Sequence, residues 1–178
     1  MSTSSSVSEQ RRLMTLKASD GIIFLVEEPA AILLGTIKNM VDKAGCGMVR
    51  NGMIPIPNVD SKTLGLMLEW CKKHAEAAEE CFGGGSEAKR KIAAELKEWD
   101  AKFVENMDQA ILHDLLIAAD YLEASDELIT LLTKRVANIL KGKTAERIRR
   151  EFNIPNDFTP DEEERIRKRL SSWVSYAN

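Results

Sequence analysis

Histidine is almost missing from this chain of 178 residues, and its scarcity excludes a good deal. His74 and His113 are the only two, and neither has a cysteine or a second histidine at metal-ligand spacing. Cysteine is scarce as well. Cys46, Cys71 and Cys81 are irregularly spaced and form no Cys-x-x-Cys pair. That argues against a disulfide framework and for a reducing compartment, with nucleus and cytoplasm the expected locations. No apolar run approaches the roughly 18 residues of a membrane span. Met1 to Ser8 is Ser-rich without an apolar core, so residues 1–12 are expected to be a disordered tail and not a secretory leader. There is no excess of basic charge: 25 Lys and Arg stand against 28 Asp and Glu, a formal net charge of -3 that argues against nucleic acid as a partner. Gly83-Gly84-Gly85-Ser86 lacks the Gly-Lys-Ser/Thr ending of a phosphate cradle and follows no strand, so it reads as a linker. No catalytic, metal or cofactor constellation emerges, and the chain is expected not to be an enzyme. The one thiol worth weighing is Cys46, with Lys43 and Arg50 near it in sequence, and it is the weakest of three readings.

What is present is patterned. Met14 to Val26 reads as a hairpin: an alternating Met14-Thr15-Leu16-Lys17, turn chemistry at Ser19-Asp20-Gly21, then a β-favouring run from Ile22. Ala30 to Val41 reads as one helix with Leu33, Ile37, Met40 and Val41 on a face. Gly45 to Gly52 is a loop. The two prolines in Ile54 to Val59 enforce extended backbone and limit it to an edge strand. A helix capped by Ser61 carries Leu64, Leu68 and Cys71 and runs towards Ala78. Beyond the Gly-rich linker and the charge-rich Glu87 to Lys97, everything reads as helix. Asp108 caps a strong one through Leu122; Ser125 caps another through Leu140, closed by Gly142.

The last third carries the functional signal. Thr144 can cap a helix with Ile148 and Phe152 at i, i+4 spacing. Phe152, Ile154 and Phe158 then lie in a connector broken by Pro155. Thr159-Pro160-Asp161-Glu162 is a capping box with proline at the first helical position. Short amphipathic helices joined by an apolar linker need a surface to lie on or a partner.

With those residues in view, the chain resembles the S-phase kinase-associated protein 1 family, plant-type members above all. The resemblance rests on Leu16-Lys17, Ser19-Asp20-Gly21, Thr36-Ile37-Lys38, Pro55 to Val59, Glu69 to His74, Trp99-Asp100-Ala101, Ala118 to Leu122 and all of Lys141 to Glu164. It implies an α+β fold, mostly α: a BTB/POZ domain over 13–125 with a flexible insertion at about 79–97, then C-terminal helices over 126–178 that dock an F-box. The implied role is the adaptor of a cullin-based ubiquitin ligase, which joins a cullin N-terminal domain to F-box proteins. It places Asp120, Tyr121 and Leu122 at the cullin. It places Val136, Ile139, Leu140, Ile148, Phe152, Ile154, Phe158 and Trp173 at the F-box. The family usually carries asparagine where Asp120 stands. The competing reading is a BTB/POZ protein that self-associates outside a ligase, and self-association is expected when the chain lacks a partner.

Overall fold

The structure, a computed structural model, describes residues 12–44 and 53–176, with the backbone alone for residue 44 and residues 171–176. The expected N-terminal tail, the loop at Gly45 to Gly52 and Cys46 therefore lie outside the described residues, apart from Arg12.

The hairpin forms as its pattern predicts. β1 (Leu13–Lys17) pairs antiparallel with β2 (Ile23–Glu27), with Leu16 opposite Phe24 and Met14 opposite Val26. Asp20 accepts from the Ile22 amide inside the turn, and Gly21 takes the positive φ that the turn requires. β3 (Met53–Pro55) runs parallel to β1 on its other side, so the order is β2-β1-β3 and the proline-bearing strand is an edge, as expected. Met14, Leu16, Val26 and Ile54 are buried on one face of this sheet.

The expected helix at Ala30 to Val41 is two helices. α1 (Glu28–Ala31) ends and α2 (Gly35–Ala44) begins after three intervening residues. The break has a long-range cause. Leu34, fully buried, bridges to Ala124, and the Gly35 amide donates to the Glu123 carbonyl at 2.8 Å. A Cβ on Gly35 would sit 2.7 Å from that oxygen, so only glycine permits the approach. Of the expected face, Ile37 is buried and Met40 is exposed.

α3 (Ser61–Gly83) supplies the central helix, with Leu64, Met67, Trp70 and Cys71 essentially inaccessible. Its cap is Asp60, whose carboxylate accepts from the Thr63 amide, and not Ser61. The helix also runs past Ala78 to Gly83, and α4 (Ser86–Glu105) starts after Gly84 and Gly85. The stretch 79–97, expected as a flexible insertion, is thus helical apart from those two glycines. α5 (Gln109–Tyr121) is capped by Asp108, as predicted, at 2.8 Å from the Ile111 amide. α6 (Asp126–Leu140) begins after Ser125, but the Ser125 hydroxyl is buried without a hydrogen-bond partner, so it is no side-chain cap.

α7 (Ala145–Glu151) and α8 (Pro160–Tyr176) complete the chain. The compact division falls after Asn138, with Ile139–Asn178 the second unit. That is later than the expected boundary at 125–126, because the first part of α6 buries Leu128 and Leu132 completely. No helix among the described residues is long and apolar enough to cross a membrane.

Candidate functional site

Two helix ends, one in each unit, hold the residues singled out by the sequence, and both close in the same way. In the first unit α5 ends at Leu122. Glu123 then takes φ 49°, the Glu123 amide donates to the Asp120 carbonyl and the Ala124 amide to Ala119. This is a Schellman closure with glutamate where glycine is usual. The strain of positive φ in a residue with a Cβ is offset by fixed partners. Glu123 accepts from the Asn39 side chain at 3.0 Å, and the α2 amides of Gly35 and Thr36 donate to the carbonyls of Glu123 and Leu122. The Thr36 hydroxyl adds a bond to the Tyr121 carbonyl. The end of α5 is therefore rigid, and it presents Asp120 and Tyr121 to solvent. Leu122, the third residue expected at a cullin contact, is 0% exposed and packs in the core, so its side chain does not share that surface.

In the second unit α7 ends at Phe152, Asn153 takes φ 51°, and the Ile154 amide donates to the Arg149 carbonyl at 2.8 Å. Asparagine is the residue that tolerates this conformation best after glycine. In such a closure the residue after the left-handed one normally packs on an apolar side chain one turn back. Here the candidates one turn back are Arg149 and the half-buried Ile148, and Ile154 stays 50% exposed. Pro155 follows and prevents the helix from resuming. Phe152 and Phe158 are exposed with it, whereas Ile139, Leu140 and Ile148 are half-buried. Val136 is half-buried on α6 in the first unit. Trp173 lies on α8, and its side chain is outside the described residues.

Polar contacts fix the frame around these apolar groups. The Thr144 hydroxyl accepts from the Arg147 amide and caps α7. The capping box of α8 closes in both directions: the Thr159 amide donates to Glu162 at 2.9 Å, and the Glu162 amide donates to the Thr159 hydroxyl. The Thr159 amide and hydroxyl, both donating to the Glu162 carboxylate, hold that carboxyl below its ordinary range. Lys143 and Arg147 do the same for Glu151, each through a direct contact. Arg149 joins α7 to α8 by an ion pair with Glu163 at 3.6 Å, and its guanidinium lies 5.5 Å from the centre of the Phe158 ring. The connector is thus held rigid by polar groups while its apolar side chains face outward.

Sequence reasoning missed Asn153 and Glu123. An asparagine just before Ile-Pro was a legible stop signal; the conformation of Glu123 depends on contacts with α2 and had no local sign. It also left His74 unassigned. That imidazole pairs with Asp100 at 2.9 Å in the packing between α3 and α4, while His113 is largely solvated. Cys71 is inaccessible, and burial pushes its thiol up to about 12, which removes it as a nucleophile at neutral pH. No group of three or more metal-ligating side chains occurs among the described residues.

The architecture defines a class: a small sheet wrapped by helices in the POZ manner, continued by a short helical unit that displays apolar side chains. Residues 12–76 match the Skp1 family tetramerisation domain, and residues 126–171 match the Skp1 family dimerisation domain. The chain is 46% identical over 164 residues to SKP1-like protein 1A of Arabidopsis thaliana, spanning 90% of this chain and 96% of that one. It is 42% identical to SKP1-like protein 4 of the same plant, across 94% and 99% of the two chains. Similarity extends to fungi: the E3 ubiquitin ligase complex SCF subunit sconC of Arthroderma otae is 39% identical, across 90% and 93%. The chain belongs to the Skp1 family.

Proposed function

We propose that this chain is the non-catalytic adaptor of an SCF-type ubiquitin ligase, bridging a cullin scaffold to an F-box substrate receptor. The observation that carries the reading is the rigid connector with Phe152, Ile154 and Phe158 exposed on it. Apolar side chains held outward by a Schellman closure and a capping box are preorganised for a partner surface, and preorganisation lowers the entropic cost of binding. The F-box contact is assigned to Val136, Ile139, Leu140, Ile148, Phe152, Ile154, Phe158 and Trp173. The cullin contact is assigned to Asp120 and Tyr121 at the fixed end of α5. An adaptor of this kind works by position: it holds the receptor, and with it the substrate lysines, at raised effective concentration beside the ubiquitin-charged enzyme. Without an F-box the exposed apolar groups drive self-association. The protein acts in nucleus and cytoplasm.

The test is reconstitution with an isolated F-box domain and a cullin N-terminal domain, followed by light scattering. The expected product is one ternary complex of each component in single copy, formed at the expense of self-associated chain. A chain that binds neither domain, or that carries thiol-dependent ligase activity of its own, would remove the adaptor role.

A further inference from the structure

The outer face of the sheet and the free edge of β2 are used by nothing described so far. Leu25 is 71% exposed and Ile23 54% exposed, and both project from the side of the sheet opposite Phe24 and Val26. β2 is an edge strand. The ladder with β1 is continued by Ala18 donating to Ile22 and Glu28 donating to Arg12. Antiparallel alternation therefore turns the N–H and C=O groups of Phe24 and Val26 towards β1 and those of Ile23 and Leu25 away from it. No backbone hydrogen bond joins Ile23 or Leu25 to another element among the described residues. An apolar edge left unpaired by the described residues is a template for one more strand.

Beside that edge runs a groove of about 400 Å³, with β2 as one wall and one face of α3 as the other. Its α3 wall carries Glu69 and Glu76 beside Lys72, while Glu27 and Glu79, which also line it, have interactions of their own. Glu69 and Glu76 are exposed and enter no ion pair with a described residue. The two walls therefore ask for different things. Side chains of an added strand alternate between faces. Those on the outer face would lie beside Ile23 and Leu25, where apolar groups fit. Those on the inner face would meet the carboxylates of α3, where cations fit.

We propose that the β2–α3 groove is a docking site for an extended peptide segment whose residues alternate apolar and basic, added to the sheet at the edge of β2. The occupant is a basic partner and not a second copy of this chain. A two-fold pairing of β2 with itself would bring the acidic α3 walls of both copies to the same junction, where like charges repel.

The probe is a fluorescein-labelled peptide of alternating valine and lysine, titrated by anisotropy into the full-length chain already bound to an F-box domain. Controls are alternating valine and glutamate, and the same valines and lysines in two blocks. The alternating basic peptide should bind best, at physiological salt, and should slow amide exchange at Ile23 and Leu25. The double variant E69K/E76K, altered only at exposed helix positions, should bind it about tenfold more weakly or less. Leu25→Pro should abolish binding with all acidic groups in place, because proline removes an outward amide that the β1–β2 ladder does not use. Both variants should keep their helical circular dichroism and their F-box affinity, which makes failure here distinct from failure of the adaptor role. Equal binding of the alternating and block peptides, or full binding by Leu25→Pro, would reduce the groove to diffuse charge attraction and overturn the proposal. A concentration-dependent dimer of the F-box-bound chain that Leu25→Pro disperses would overturn it in favour of a second copy.

Discussion

Trp70 and His74 stack one turn apart on α3, ring centroids 3.6 Å apart and planes at 25°, and both address the same oxygen of Asp100 on α4. The indole N–H donates at 2.9 Å, and the imidazole Nε2 stands at 2.9 Å. One carboxylate thereby satisfies the only polar atom of a tryptophan that is 1% exposed, and it ties α4 to α3 at a point where α4 is otherwise amphipathic and largely solvated. The i, i+4 spacing of Trp70 and His74 lays the rings over one another, and Asp100 closes the triangle from the neighbouring helix.

Asp100→Ala should therefore destabilise the fold by about 1–3 kcal/mol, because it leaves a buried indole N–H without an acceptor. Trp70→Phe, which removes donor and need together, should leave Asp100 with His74 alone and cost chiefly packing. Urea unfolding of the two variants reads the difference, and a negligible change for Asp100→Ala would mean that water replaces the carboxylate.

The start of α8 should be sensitive to acid. The Thr159 amide and hydroxyl hold the Glu162 carboxyl below its ordinary value of 4.5. A depressed folded value means stabilisation that is fully present above the unfolded value and is lost as pH falls through the folded one. Protection of the Glu162 and Glu163 amides, taken relative to their intrinsic exchange rates, should therefore fall below about pH 4.5 and not between 5 and 8. Glu162→Gln keeps a side chain able to complete the capping box but does not titrate, so its amide exchange should lose this acid step. An acid step that persists unchanged in Glu162→Gln would assign it to Glu151 or Glu146, which are also held low in the same unit.

The cap residues show why some of this was legible and some not. Asp108, Thr144 and Thr159 act over three residues of their own chain, so the sequence carries the whole of the interaction. Asp60 and Ser61 are both competent caps and adjacent; the choice depends on Asp20, whose carboxylate takes the Ser61 amide from across the turn. The break between α1 and α2 depends on Gly35 meeting Glu123, 88 residues away, a contact that no local periodicity encodes. Leu122 illustrates the same limit at the site. Its neighbours Asp120 and Tyr121 reach solvent, but the rotation of a helix end that decides which of three consecutive residues turns inward is set by α2 packing against it. In the second unit, the apolar residues without an obvious core were visible from spacing alone, and Phe152, Ile154 and Phe158 are exposed.

Asp120 tests the cullin assignment. Its carboxylate is exposed in the free chain, and burial at an interface without a cation would cost on the order of 1–3 kcal/mol. Asp120→Asn should tighten binding of the cullin N-terminal domain several-fold and leave F-box affinity unchanged. Calorimetry giving the same cullin affinity for both forms would take Asp120 out of the interface, and weaker binding by the asparagine form would place a partner cation against it.

Ile154 separates interface from core most sharply. Its backbone is fixed by the Schellman bond to Arg149 and by Pro155, while half of its side chain remains in solvent. Truncation of an interface anchor costs about 2 kcal/mol or more of binding, roughly thirty-fold in affinity. Truncation of a core isoleucine costs about 2–5 kcal/mol of folding stability instead. Ile154→Ala should therefore lose F-box affinity while the melting temperature of the free chain hardly moves. Phe152→Ala should lose some of both, since the Phe152 side chain is the less exposed of the two. Titration with an isolated F-box domain and a thermal melt of each variant give the two readings. If Ile154→Ala melts early yet binds normally once folded, Ile154 belongs to the internal packing of the second unit, and the anchor of the F-box contact must be sought at Phe158.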